Sequence, residues 1–126
     1  MRTPITSPTA SAVGPYSHGI ETEGLIFCSG QTPVDPVTGL LAEGGIAERT
    51  RQCFDNLLGV LAEAGLGQAD VVKVSVFLTD MVDFQAMNEV YASYFEQPFP
   101  ARTTIGVSSL PLGSNIEIEL IARRSN

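Results

Sequence analysis

Phe99-Pro100-Ala101-Arg102-Thr103-Thr104-Ile105-Gly106-Val107 is the stretch from which the fold can be read. Pro100 fixes its own φ and biases Phe99 toward extended backbone. Beyond it, Thr103, Ile105 and Val107 alternate with Arg102, Thr104 and Gly106, the period of a strand. Arg102 stands at the mouth of that strand, on the face of the small residues. A second alternating run, Ile116-Glu117-Ile118-Glu119-Leu120-Ile121-Ala122, sets Ile116, Ile118, Leu120 and Ala122 against Glu117 and Glu119. Between the runs, Pro111-Leu112-Gly113-Ser114 is turn chemistry. The pattern therefore predicts an antiparallel pair that brings Arg102 and a carboxylate to one side of one sheet.

Upstream, Asp83 is a candidate N-cap for a helix carrying Phe84, Met87, Tyr91, Tyr94 and Phe95. Before that helix, residues 71 to 78 alternate, with Val72, Val74, Val76 and Leu78 on one face and Lys73, Ser75 and Phe77 on the other. A longer helix is signalled by Ile46, Thr50, Cys53, Phe54, Leu57, Leu58, Leu61 and Ala64 at helical spacing, with Gly65 as its C′ stop. Leu25-Ile26-Phe27-Cys28-Ser29 reads as a buried strand ended by Gly30, after a hairpin turn at Thr22-Glu23-Gly24. Pro33 to Gly39 is a turn-rich loop, and Thr3 to Ala12 an extended lead-in. The expected order is β-β-α-β-α-β-β, an α+β fold with both helices on one face of a mixed sheet. Phe77 and Ile121 would then lie on the other face, which predicts that a further surface packs there.

A chain of 126 residues (1-126) is one domain by length, able to bury roughly two-thirds of its unfolded surface. Its 44% hydrophobic and 17% charged content is that of a globular protein. Fourteen acidic residues against seven basic ones give a net charge of −7, and only Arg123-Arg124 pairs two cations, which disfavours nucleic acid as a partner. No apolar run reaches a membrane span and no signal-peptide pattern opens the chain, so the cytoplasm is the expected compartment. Cys28 and Cys53 lack metal-ligand spacing and read as small buried hydrophobes.

His18 is the only histidine, which leaves little scope for a histidine metal site; it reads as a strand residue with a satisfied hydrogen bond. Lys73 is the only lysine and reads as an ordinary strand position. No phosphate-binding loop or nucleophile elbow is present. What remains is Tyr16, Ser29, Arg102, Thr104, Glu117 and Glu119. A guanidinium grips a carboxylate with two parallel hydrogen bonds, a carboxylate can polarise a water, and a phenol can bind a heteroatom. Together they describe metal-free, cofactor-free hydrolysis of a small anion. Asn88, on the face of Phe84 and Tyr91, reads as a structural amide satisfying backbone.

Gly14-Pro15-Tyr16-Ser17, Ser29-Gly30-Gln31, Asn88, Pro100-Ala101-Arg102 and Ile116-Glu117-Ile118-Glu119 together resemble the signature of the Rid family, the reactive intermediate deaminases also called YjgF-like, from about Ala12 to Arg123. The resemblance implies a chorismate-mutase-like protomer in a homotrimer with sites between subunits. It implies metabolite damage control: hydrolysis of 2-aminoacrylate, 2-iminopropanoate and 2-iminobutanoate to 2-keto acids and ammonia, without cofactor or metal. It would have Arg102 grip the substrate carboxylate, Glu117 position water, Tyr16 orient the imine and Ser29 line the pocket, with backbone hydrogen bonds around Gly30 and Thr104. Pattern alone does not choose between Glu117 and Glu119; the motif selects Glu117. Thr104 stands where many imine-hydrolysing members have Cys, which argues against a covalent cysteine step. Other readings are a non-catalytic trimer that binds 2-keto acids, a relative acting on a different enamine, and a ribonuclease, the last at odds with the charge and the lone histidine.

Overall fold

The computed structural model describes residues 1–8 and 14–125. The strands and helices run β1 (Thr3–Ile5), β2 (Gly19–Thr22), β3 (Leu25–Gln31), α1 (Ile46–Glu63), β4 (Val71–Leu78), α2 (Phe84–Tyr94), β5 (Ala101–Gly106) and β6 (Ile116–Arg123). The strands form one mixed sheet in the order β1-β2-β3-β6-β4-β5. β1 is absent from the sequence-derived order; it lies within the expected lead-in and pairs with β2 through Pro4 opposite Ile20. The part of that lead-in from 9 to 12 lies outside the described residues.

The expected pairing of the last two strands is wrong. β6 is hydrogen-bonded antiparallel to β4, and β5 lies on β4's other side, parallel to it. Two physical reasons account for this. β4 carries Val71, Val74, Val76 and Leu78 into the core and is buried enough to be central, whereas β5 offers Arg102, Thr104 and Gly106 on that face and suits an edge. The β4-α2-β5 segment is also a crossover unit, which yields parallel neighbours. Arg102 and Glu117 consequently lie on opposite faces of the sheet. Val74, buried, is the partner of Arg102, and half-buried Phe77 is the partner of Glu117.

Both helices cover one face, as the alternation predicts. Phe54, Leu57 and Leu61 of α1 and Met87 of α2 are buried against Ile26, Val76, Ile118 and Leu120 of the sheet. Phe54 stacks on Tyr94 at 4.8 Å and meets Tyr91 edge-on at 5.7 Å, which ties the two helices together. Gly65 ends α1 at φ +75°, with Gly65 N–H donating to Ala62 and Leu66 N–H to Leu61, the Schellman arrangement.

One local expectation fails and another is met in part. A register shift between Val71 and Lys73 turns Val72 outward and gives its core place to Val71. Asp83 does take the N-cap position of α2, but its side chain makes no capping bond; Asp80 caps the short helical turn before it, accepting from Val82 N–H at 3.0 Å. Phe77 and Ile121 do face away from the helices, joined there by exposed Phe27 and Ile105.

Candidate active site

The residues singled out by sequence fall into two groups. The first is built on the helix-free face, where β3 meets β6. Cys28 is opposite Leu120 and Gln31 opposite Ile118, so Ser29 and Gly30 together stand against Glu119 alone. This bulge bends the end of β3 and brings Gly30 against Glu117. A Cβ at Gly30 would overlap the Glu117 carboxylate, so only glycine lets the carboxyl lie flat on the bulge. Ser29 Oγ donates to Ser17 O at 2.6 Å, tying the bulge to the segment that carries Tyr16. Tyr16, Ser29, Gly30 and Glu117 then share the wall of a cavity of about 300 Å³. Burial holds the Glu117 carboxyl above the ordinary carboxylate range, with Glu119 two residues along adding a like charge.

The second group is on the opposite face at the β5 edge. Arg102 Nη1 donates to Asn88 Oδ1 at 2.6 Å. The guanidinium lies over the Tyr91 ring at 4.6 Å and near Phe84 at 5.6 Å. One edge and one face of the cation are thus fixed by α2, and the rest opens on a cavity of about 420 Å³ bounded also by Phe99 and Pro100. Asn88 therefore supports a side chain and not the backbone, correcting the expected role. Thr104, two residues along on the same face, has a buried hydroxyl without a hydrogen-bond partner. Burial pushes the Tyr91 phenol up, opposed by the Arg102 charge.

Several candidates stay outside both groups. Lys73 donates to Thr103 Oγ1 at 2.8 Å on the open sheet face. His18 Nδ1 accepts from Ser7 N–H at 3.0 Å, while Nε2 is buried without a partner, so its expected satisfaction is half met. Both thiols are buried; burial lifts Cys28 to about 12 and Cys53 well above the usual thiol range. Neither is a nucleophile at neutral pH. Among the described residues, no group of His, Cys, Asp or Glu could hold a metal ion. Sequence reasoning did not assign Tyr91 and Phe84 as supports of Arg102, although their helical spacing from Asn88 was the available signal.

A single protomer thus holds a half-buried carboxyl beside a phenol on one face and a guanidinium opening on a cavity on the other. The family model described as endoribonuclease L-PSP matches residues 6–124. YyfA from Yersinia pestis, of the conserved Rid protein family, superposes with a TM-score of 0.93 at 42% identity, covering 98% of this chain and 99% of that one. The chain belongs to the Rid family. Two curated relatives extend the comparison to this Rid protein. The mitochondrial protein mmf1 of Schizosaccharomyces pombe is 48% identical over 124 residues, 96% of this chain and 75% of that protein. A human 2-iminobutanoate/2-iminopropanoate deaminase is 43% identical over 117 residues, 93% of this chain and 85% of that protein.

Proposed function

We propose that this Rid protein hydrolyses 2-imino acids and their enamine tautomers, such as 2-aminoacrylate and 2-iminobutanoate, to 2-keto acids and ammonia. The observation that carries this is Glu117: a half-buried carboxyl with a raised proton affinity, seated on the Gly30 bulge beside Tyr16. The identity with the human deaminase supports the same chemistry. With the substrate bound as its iminium, water attacks C2 and Glu117 takes one water proton, leaving a neutral carbinolamine. Glu117 returns that proton to the nitrogen; as the C–N bond breaks and ammonia leaves, the hydroxyl oxygen becomes the keto oxygen and its proton passes back to Glu117. Tyr16 orients the nitrogen, Ser29 lines the pocket, and backbone groups at Gly30 and Thr104 hold the substrate. Arg102 grips the carboxylate.

Because Arg102 and Glu117 occupy opposite faces of one sheet, the complete site requires two copies of the chain. We assign it to the clefts of a homotrimer, for which the apolar open face (Phe27, Phe77, Ile105, Ile121) is the packing surface. Residues 1-126 act as one domain in this assembly. The proposed compartment is the cytoplasm, where two buried free thiols stay reduced. A threonine dehydratase generating the imine tests the activity: 2-ketobutyrate release should accelerate when this protein is added. An unchanged rate, with 2-ketobutyrate still bound, would leave a non-catalytic binder.

A further inference from the structure

The cavity lined by Tyr16, Ser29 and Glu117 is lined also by three apolar residues, Val34, Pro111 and Leu112. Leu112 is the unexpected member. Its backbone is left-handed, φ 63° and ψ 15°, a conformation that costs a leucine and that glycine adopts freely. The side chain is 55% exposed, so burial within the protomer does not offset that cost.

The turn is also held in place. Ser114, buried, bonds the Ile116 backbone through its hydroxyl in both directions, at 2.8 and 3.2 Å. Arg49 Nη1 donates to Asn115 Oδ1 at 3.0 Å, and Thr79 N–H to Asn115 O at 3.2 Å. An apolar side chain kept in a disfavoured conformation at the edge of a reactive cavity points to something outside the protomer that packs on it.

We infer that Leu112 is a specificity-determining residue. With Val34 and Pro111 it forms an apolar wall that takes the alkyl side chain of the substrate while C2 faces Glu117. The favoured class is therefore 2-imino acids with aliphatic side chains of two or more carbons, in preference to 2-iminopropanoate and to those with polar side chains. This assignment rests on the hydrolytic reading above and deepens it. Each methylene seated on such a wall raises kcat/KM roughly fourfold, within the limit of about 10–200-fold that hydrophobic pockets reach.

The test uses imino acids formed in situ by an L-amino-acid oxidase from alanine, 2-aminobutanoate and norvaline. Wild-type kcat/KM should rise along the series. Leu112→Gly and Leu112→Asn both suit a left-handed backbone, so both should fold, with Tm equal to or above wild type. Both should flatten the series, lowering the norvaline-to-alanine ratio by about tenfold. A flat wild-type series, or the same ratio in both variants as in wild type, would overturn the assignment. If wild type hydrolyses none of the imines, the deaminase reading fails, and calorimetry with pyruvate, 2-oxobutanoate and 2-oxopentanoate still decides the wall. Affinity that climbs with chain length and loses that dependence in Leu112→Gly supports it; affinity independent of chain length, or no binding, overturns it.

Discussion

Asn88 is a neutral acceptor where an aspartate would also reach Arg102, and the difference matters for the proposed carboxylate grip. The amide fixes the guanidinium edge on α2 without cancelling its charge. Asn88→Asp should keep the fold and the contact but lower 2-ketobutyrate affinity at least about tenfold, since the internal ion pair competes with the ligand; charge-assisted bonds are worth roughly 1.5–3 kcal/mol. Titration calorimetry beside a melting curve checks this, and undiminished binding would show that the Arg102 charge is not the anion grip. Glu117 allows a second test. Its raised proton affinity means that its stability contribution is most favourable at low pH and is lost as pH rises from the ordinary carboxylate range through its folded value. Glu117→Gln should lower turnover by roughly 10²–10⁴, yet melt at or above wild type at pH 7, with the gap closing in acid. Glu119→Gln removes the secondary cause of the shift, so the alkaline-rising limb of kcat/KM should move to lower pH while turnover persists. A pH profile unmoved in Glu119→Gln leaves burial as the whole cause.

At the scale of elements, the alternation along β4 and β6 and the helical spacing of α1 were readable because each buried face repeats a period that only one secondary structure satisfies. Gly65 was readable for the same reason, since glycine after a helical run supplies the left-handed residue that closes it. The bulges were not. Nothing in Val71-Val72-Lys73 says which valine enters the core, and nothing in Ser29-Gly30 says that two residues will face one. Both depend on neighbours distant in sequence. The short edge strand β1 was hidden by Ser/Thr/Pro composition. β5 and β6 do not pair because a turn between two strands fixes their sequence order and not their adjacency; the polar inner face of β5 is the sign of an edge. The bulge at Gly30 carries its own consequence. Gly30→Ala would push a methyl into the Glu117 carboxylate, whose flexible end can swing away, so the fold should survive. Displacing that carboxylate by about 1 Å should cost on the order of 10²-fold in kcat, read by single-turnover keto-acid release. Wild-type kcat in a folded Gly30→Ala would mean that the bulge does not set the carboxylate position.

At the scale of the whole molecule, the proposed hydrolysis asks two groups on opposite sheet faces to act on one small substrate. One protomer cannot join them without passing a ligand through a packed sheet, whose inner face is filled by Val74, Val76, Ile118 and Leu120. A second copy docked on the open face can, and it would also cover Phe27, Phe77 and Ile105. This arrangement makes a prediction that no single-chain site shares. Arg102→Ala and Glu117→Gln should each be inactive alone, because every cleft in either pure assembly lacks one partner. Unfolded together in equal amounts and refolded, they should recover activity. In a random closed assembly roughly a quarter of the clefts pair an intact Arg102 from one subunit with an intact Glu117 from its neighbour. Turnover in the mixture should approach that fraction of wild type, and mixing without subunit exchange should give none. Recovery that fails although mass spectrometry shows mixed assemblies would place both residues of each working site in one chain, and the intersubunit cleft would have to be abandoned.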